Sequence, residues 1–121
     1  MPTILIAEDN LDARDALSEL LQAHGFDVLL ARDGEDALDI LQSHKPDVVL
    51  TDIDMPRLDG LGLCMRMKMA PHTSEIPLIL ISGRPPIYQP NAVFDVVQKP
   101  VLTEELLTSV KAAIRHSAVA C

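Results

Sequence analysis

Apolar residues fall along this chain in two rhythms. Five short aliphatic runs, at 4–7, 28–30, 48–51, 78–81 and 93–97, carry few polar interruptions, the pattern of strands buried on both faces of a sheet. Three of the intervals between them, and the segment after the last, show helical spacing instead. Ala13, Ala16, Leu17, Leu20 and Leu21 mark a first helix over 11–24, with Gly25 as its stop. A second begins at Asp33 and Gly34, turns Ala37, Ile40 and Leu41 inward, and ends before the Lys45-Pro46 step, because a residue preceding Pro is biased out of the helical region. A third, about 61–69, faces inward through Cys64 and Met67. The last has Thr103 as N-cap, Glu104 and Glu105 favourable to its dipole, and Leu102 placed to pack on Leu107 as a hydrophobic staple. Leu106, Leu107, Val110, Ala113 and Ile114 form its inward stripe.

Strands alternating with helices predict an α/β fold, a doubly wound five-stranded parallel sheet with helices on both faces. The pattern fails once. Only about ten residues, 83–92, join the fourth and fifth runs, near the lower limit for a crossover with a helix. Pro85, Pro86 and Pro90 lie there, and an interior Pro loses a backbone bond and clashes with the preceding turn. A fourth helix shortened or replaced by a loop is expected, and residues 117–121 are expected to fray.

The polar residues that break this pattern sit at the carboxyl ends of four runs: Glu8 and Asp9 after ILIA, Asp52 after VVLT, Ser82 after LILI, and Lys99 with Pro100 after VFDVVQ. In an open parallel sheet those ends gather where ligands bind. Each residue has a plain structural reading: strand ends in solvent, turn residues at Asp52 and Asp54 before Pro56, a capping Ser, a surface Lys. That reading gives no reason for all four marks to fall at carboxyl ends and none at an amino end.

Composition narrows the chemistry. A chain of 121 residues with 48% hydrophobic content fits one domain over 1–121, with no room for a separate effector domain. A net charge of −8 argues against nucleic-acid or anionic-membrane surfaces, which need clustered Lys and Arg. Cys64 and Cys121 lack ligand spacing and read as free thiols of a reducing cytosol. MPTILIAED reaches acidic residues too soon for a signal peptide, and no apolar stretch spans a bilayer, so a soluble cytoplasmic protein is expected. His24, His44, His72 and His116 are scattered and form no metal cluster; His116 is placed to meet a helix dipole.

Mg²⁺ takes oxygen ligands, usually one or two carboxylates with phosphate oxygens. Glu8, Asp9 and Asp52 supply such a set, and their mutual repulsion favours a cation. A carboxylate also attacks phosphorus to give an aspartyl phosphate. Lys99 and Ser82 are then placed to stabilise the equatorial oxygens of the transferring group. Gly83 leaves room for a phosphoryl donor, and Asp54 is placed to face an attacking water.

AEDN at 7–10, DIDMPRLDG at 52–60, LILISG at 78–83 and QKP at 98–100, in that order and spacing, resemble the receiver domains of two-component response regulators, flavodoxin-like phosphoacceptor modules. The resemblance covers essentially the whole chain. It implies strand order 2-1-3-4-5 and Asp52 as the phosphorylated residue. It also implies an Mg²⁺ site of Glu8, Asp9, Asp52 and the Asp54 backbone carbonyl, with Ser82 following the phosphoryl group, Lys99 contacting it, and a cis Lys99-Pro100 bond. Phosphate would come from a phosphohistidine on a sensor histidine kinase or a histidine phosphotransfer protein. Self-phosphorylation and autodephosphorylation at Asp52 would replace turnover of an external substrate. The phosphorylated form would be read by a downstream protein target or a phosphorylation-dependent homodimer.

Two departures concern that output. Val96 stands where the family commonly has Tyr or Phe, and the interval before the last strand is short and Pro-rich. Intact phosphorylation chemistry with an altered readout is expected, with Tyr88 as a candidate reader against a plain packing role. Three other classes compete. Asp52-Ile53-Asp54 resembles the D-x-D of haloacid-dehalogenase-like Mg²⁺ phosphohydrolases, but it does not follow the first strand and Pro56 replaces the usual Thr or Val. A flavodoxin-like cofactor carrier would need aromatics and a phosphate-cradling loop; the chain has one Tyr, two Phe and no Trp. A degenerate receiver serving only as a scaffold sits poorly with a complete acidic and basic set.

Overall fold

In the computed structural model, which describes residues 1–83 and 92–120 with side chains through 116, the five aliphatic runs become β1 (Thr3–Ala7), β2 (Asp27–Ala31), β3 (Val48–Asp52), β4 (Leu78–Ser82) and β5 (Asp95–Gln98). They form one parallel sheet in the order β2-β1-β3-β4-β5. Four helices complete the described residues: α1 (Leu11–Ala23), α2 (Gly34–Leu41), α3 (Gly60–Met69) and α4 (Thr103–Ala120). The interval expected to hold a reduced helix, and Tyr88 within it, lies outside the described residues.

Alternate strand residues divide the core in two. Leu5, Ala7, Val49, Leu78 and Leu80 face Ala37 and Leu41 of α2 and Leu63, Cys64 and Met67 of α3. Ile4, Ile6, Val48, Leu50, Ile79, Ile81 and Val97 face Leu21 of α1 and Leu106, Val110 and Ala113 of α4. Helices therefore cover both faces, which is why the central strands read as unbroken aliphatic runs rather than alternating ones. Each Val, Leu, Ile or Met among them contributes about 1.5–3 kcal/mol on withdrawal from water.

The helix boundaries follow local chemistry. Asn10, Asp33 and Asp59 cap α1, α2 and α3, accepting from the amides of Ala13, Asp36 and Gly62. α1 ends where Gly25 N donates to Gln22 O and Phe26 N to Leu21 O, at 3.0 and 3.1 Å, which satisfies two terminal carbonyls.

Four expectations shift. Ala16 is exposed, because α1 turns Ser18 and Leu21 to the sheet. β5 begins at Asp95 rather than residue 93: Val93 is buried in the α2/α3 core, and Phe94 N donates to Leu78 O just before the strand proper. Thr103 is the first helical residue of α4, and it is the Leu102 carbonyl that accepts from Leu106 N. Leu102 remains 55% exposed while Val101 packs on the core, so the staple position is filled one residue early. α4 itself runs to Ala120.

Candidate functional site

Strand order sets the site. β1 and β3 are neighbours, and the chain leaves β1 into α1 on one face of the sheet and β3 into α3 on the other, which opens a crevice beyond the carboxyl ends of these two strands. Ala7 is in register with Thr51, and Asp52 with Ile81, which brings Glu8 level with Asp52. Parity then decides where the side chains point. Ile4 and Ile6, Val48 and Leu50, and Val97 all face α1 and α4, so Glu8, Asp52 and Lys99, in step with them, share that side of the sheet edge.

The three acidic residues meet. Glu8, Asp9 and Asp52 each offer a carboxylate oxygen, and these lie within 4.8 Å of one another. Lys99 Nζ stands 3.3 Å from Asp52 Oδ1. Glu8 is 4% exposed and Asp52 9%, whereas Asp9 is open to solvent. Beneath them a cavity of about 310 Å³ is lined mainly by apolar groups, among them Ala13, Leu17, Leu50, Ile81 and Val101. This wall withholds water from Glu8. Burial first, and the neighbouring Asp52 carboxylate second, push the Glu8 carboxyl up to about 7. Glu8 Oε2 is buried without a hydrogen-bond partner, the one such side-chain atom among the described residues. An orphaned carboxylate oxygen beside a second carboxylate calls for a cation.

The remaining predicted residues are placed around this cluster. Ser82 ends β4 at 4% exposure, and its carbonyl accepts from Lys99 N at 2.7 Å. Asp54 follows β3 in the loop to α3. Lys99-Pro100 is cis. Gly83 is exposed, and among the described residues a Cβ there would meet only Lys99 Cδ, at 3.8 Å. Val96 packs on the α2/α3 core, and Phe94 instead lies tilted against His116, with ring centroids 5.4 Å apart. His116 therefore packs against a ring. Cys64 is a buried free thiol whose Sγ lies 3.4 Å from Ala92 O, and burial pushes its pKa up, which keeps it protonated.

Sequence reading missed the roles of four residues at or near the site. Thr51 is fully buried, its hydroxyl donating to Asp52 O at 2.9 Å; a Thr in an otherwise aliphatic run was its signal. Gly60 donates to Ile53 O at 2.9 Å, and a Cβ on it would collide with the Asp52 carbonyl oxygen. Arg57 and Asp33, from separate loops, form an ion pair at 2.8 Å. No local pattern reveals a pair 24 residues apart.

The profile of the response regulator receiver domain matches residues 4–111. The chain belongs to that family. Among curated relatives, the response regulator MprA of Mycolicibacterium vanbaalenii is 34% identical over 119 residues, covering 94% of this chain and 51% of the relative. The chain thus spans about half the length of the relatives it matches. The signal receiver domain of a histidine kinase from Syntrophus aciditrophicus superposes with a TM-score of 0.84 at 28% identity, covering 95% of this chain and 91% of that one. A receiver domain protein from Clostridium thermocellum gives 0.91 over all of both chains, and its 24% identity shows the fold alone.

As a receiver domain, the chain is a phosphoacceptor of two-component signalling rather than a turnover enzyme, which decides against the phosphohydrolase and flavin-carrier alternatives. Receiver domains take Mg²⁺ at an acidic pocket, and the acidic group here is Glu8, Asp9 and Asp52. The family also implies a histidine kinase as partner. No helix among the described residues is long and apolar enough to cross a membrane.

Proposed function

We propose that Asp52 is the phosphoacceptor and that Glu8, Asp9, Asp52 and the Asp54 backbone carbonyl hold Mg²⁺. The observation that carries this reading is the convergence of three carboxylates within 4.8 Å, one of them with a buried unpartnered oxygen, beside the Lys99 ammonium. Bound there, Mg²⁺ would neutralise charge on the acidic cluster and the incoming phosphoryl oxygens.

An Asp52 carboxylate oxygen attacks phosphorus on a phosphohistidine of a sensor histidine kinase or histidine phosphotransfer protein. The new P–O bond forms as the P–N bond breaks, and the departing imidazole takes up a proton. Lys99, freed from its contact with the Asp52 carboxylate, and Ser82 donate to the equatorial oxygens. Autodephosphorylation reverses the charge change: water attacks phosphorus, inorganic phosphate leaves and the carboxylate is restored. The altered site is read in the cytoplasm by a downstream protein or by a second copy of the chain.

The test is incubation with acetyl phosphate and Mg²⁺, followed by intact mass, on the wild type and Asp52→Asn. One phosphate adduct on the wild type and none on the variant is the expected result. A wild type without an adduct, or an equal adduct on both, removes the assignment.

A further inference from the structure

The β3–α3 loop, residues 53–59, carries the Asp54 carbonyl and is held from two sides. At its base Gly60 N donates to Ile53 O at 2.9 Å. Across from that closure the loop is docked on the start of α2. Arg57 Nε donates to Asp33 Oδ2 at 2.8 Å and Nη2 to Oδ1 at 3.0 Å, a two-point grip that fixes direction as well as distance.

Asp33 is a rigid anchor for this grip. It is 6% exposed, and its Oδ1 also accepts from Asp36 N at 2.8 Å as the cap of α2. The Arg57 hydrogen bond is the main influence holding its carboxyl below the usual carboxylate range. One residue on, Gly34 N donates to Leu58 O at 3.1 Å, and a Cβ on Gly34 would collide with that same oxygen. The two backbones are therefore in direct apposition.

Arg57 has φ of 67°, the one non-glycine residue with positive φ among those described. That conformation is costly for a residue with a Cβ and persists where surrounding contacts over-determine it. Here the same residue supplies the contact. Its side chain is otherwise largely exposed, so core packing does not account for the conformation.

We infer that the Arg57–Asp33 pair is a positioning latch: it locks the β3–α3 loop against α2 and so sets the Asp54 carbonyl for Mg²⁺. The inference rests on the proposed Mg²⁺ ligands, and Arg57 itself touches neither cation nor phosphoryl group. It differs in sign from a simple charge effect. Through space, removing Arg57 would strengthen Mg²⁺ binding and neutralising Asp33 would weaken it. Loss of a latch weakens binding in both cases.

The variants are Arg57→Gly, which accepts φ of 67°, Asp33→Asn, which keeps a good helix cap, their double variant, and Arg57→Lys. Mg²⁺ affinity is measured by calorimetry, and amide exchange of residues 53–60 is followed in metal-free protein. Each single change is expected to weaken Mg²⁺ about 10-fold, the low end for residues that orient a metal ligand. The double variant should be no weaker than the weaker single one, Arg57→Lys should restore part of the affinity, and loop amides should exchange faster while β1 and β3 stay protected. Variants that shift affinity in opposite directions, or that match the wild type, overturn this inference alone. A wild type that binds no Mg²⁺ overturns the metal reading and the latch with it.

Discussion

The Lys99 amide donates to the Ser82 carbonyl at 2.7 Å, while the Lys99 ammonium stands 3.3 Å from Asp52 Oδ1. One residue is thereby fixed to β4 through its backbone and reaches β3 through its side chain. The hydroxyl of Ser82 and the charge of Lys99 are set relative to each other by a main-chain bond that no side-chain substitution removes. Their contributions can be separated by mutation without displacing either strand end.

Lys99→Met keeps that backbone bond and deletes the charge. The ammonium is partly exposed, so its hold on Asp52 is worth at most about 1 kcal/mol, and Mg²⁺, relieved of a competing cation, should bind about 2- to 5-fold more tightly. Transfer should move the other way. With no cation for the equatorial oxygens, adduct formation from acetyl phosphate is expected to slow about 100-fold. Calorimetry and a mass time course read the two effects, and parallel changes in both would refute the separation.

Ser82→Ala also spares the backbone bond. It removes a hydroxyl that belongs to the proposed phosphoryl contacts and not to the cation ligands. Mg²⁺ affinity should stay at the wild-type value while the adduct forms more slowly, by about 10-fold for one neutral donor. Loss of Mg²⁺ affinity in this variant would place Ser82 among the cation ligands instead.

Glu8 makes metal-free stability fall as pH rises. Its carboxyl titrates near 7 in the folded chain against an ordinary 4.5, so between those values the native state holds the extra proton and unfolding releases it. The contribution is fully favourable below about pH 4.5 and is lost through pH 7, on the order of 3 kcal/mol in all. Mg²⁺ competes with that proton, so its stabilising effect should be larger at pH 8 than at pH 6. Urea unfolding in chelator, across this range, should slope downward for the wild type and lie flatter for Glu8→Gln. Parallel curves would show that Glu8 does not titrate there.

What the sequence made legible follows from scale. Aliphatic runs and helical spacing are local, so all five strands and α1, α2, α3 and α4 could be placed within a few residues. The acidic cluster was legible as well, because side-chain parity along a parallel sheet is itself a sequence pattern: Glu8 follows Ile4 and Ile6, and Asp52 follows Val48 and Leu50. Legibility ended where contacts join distant loops. Asp33 announced a helix start but not its partner Arg57, and nothing local marked Gly60, which lies against the Asp52 carbonyl. Ala16 and Leu102 misled for a different reason. An apolar residue at the margin of a helical stripe is turned in or out by a rotation that only packing decides, and both ended exposed.

Two glycines near the site should respond oppositely to one added methyl group. At Gly60 a Cβ would meet the Asp52 carbonyl oxygen and crowd Leu80 Cδ2 at 3.0 Å. The side chain can rotate away, but the carbonyl belongs to the strand that carries the proposed phosphoacceptor, so relief requires the backbone of β3 or of α3 to move. Gly60→Ala is therefore expected to cost about 1–3 kcal/mol and to weaken Mg²⁺ binding at the same time, because the displaced residue is itself a proposed ligand. At Gly83, among the described residues, the added carbon meets only Lys99 Cδ, at 3.8 Å, an ordinary contact. Gly83→Ala should stay within about 0.5 kcal/mol of the wild type and leave Mg²⁺ affinity intact. If Gly83 keeps the approach open for the phosphoryl donor, this variant should lose transfer from a phosphohistidine protein more than transfer from acetyl phosphate, which is small enough to pass. Equal loss with both donors would leave Gly83 no role in access, and a stable Gly60→Ala with normal Mg²⁺ binding would show that β3 yields at Asp52 without disturbing the site.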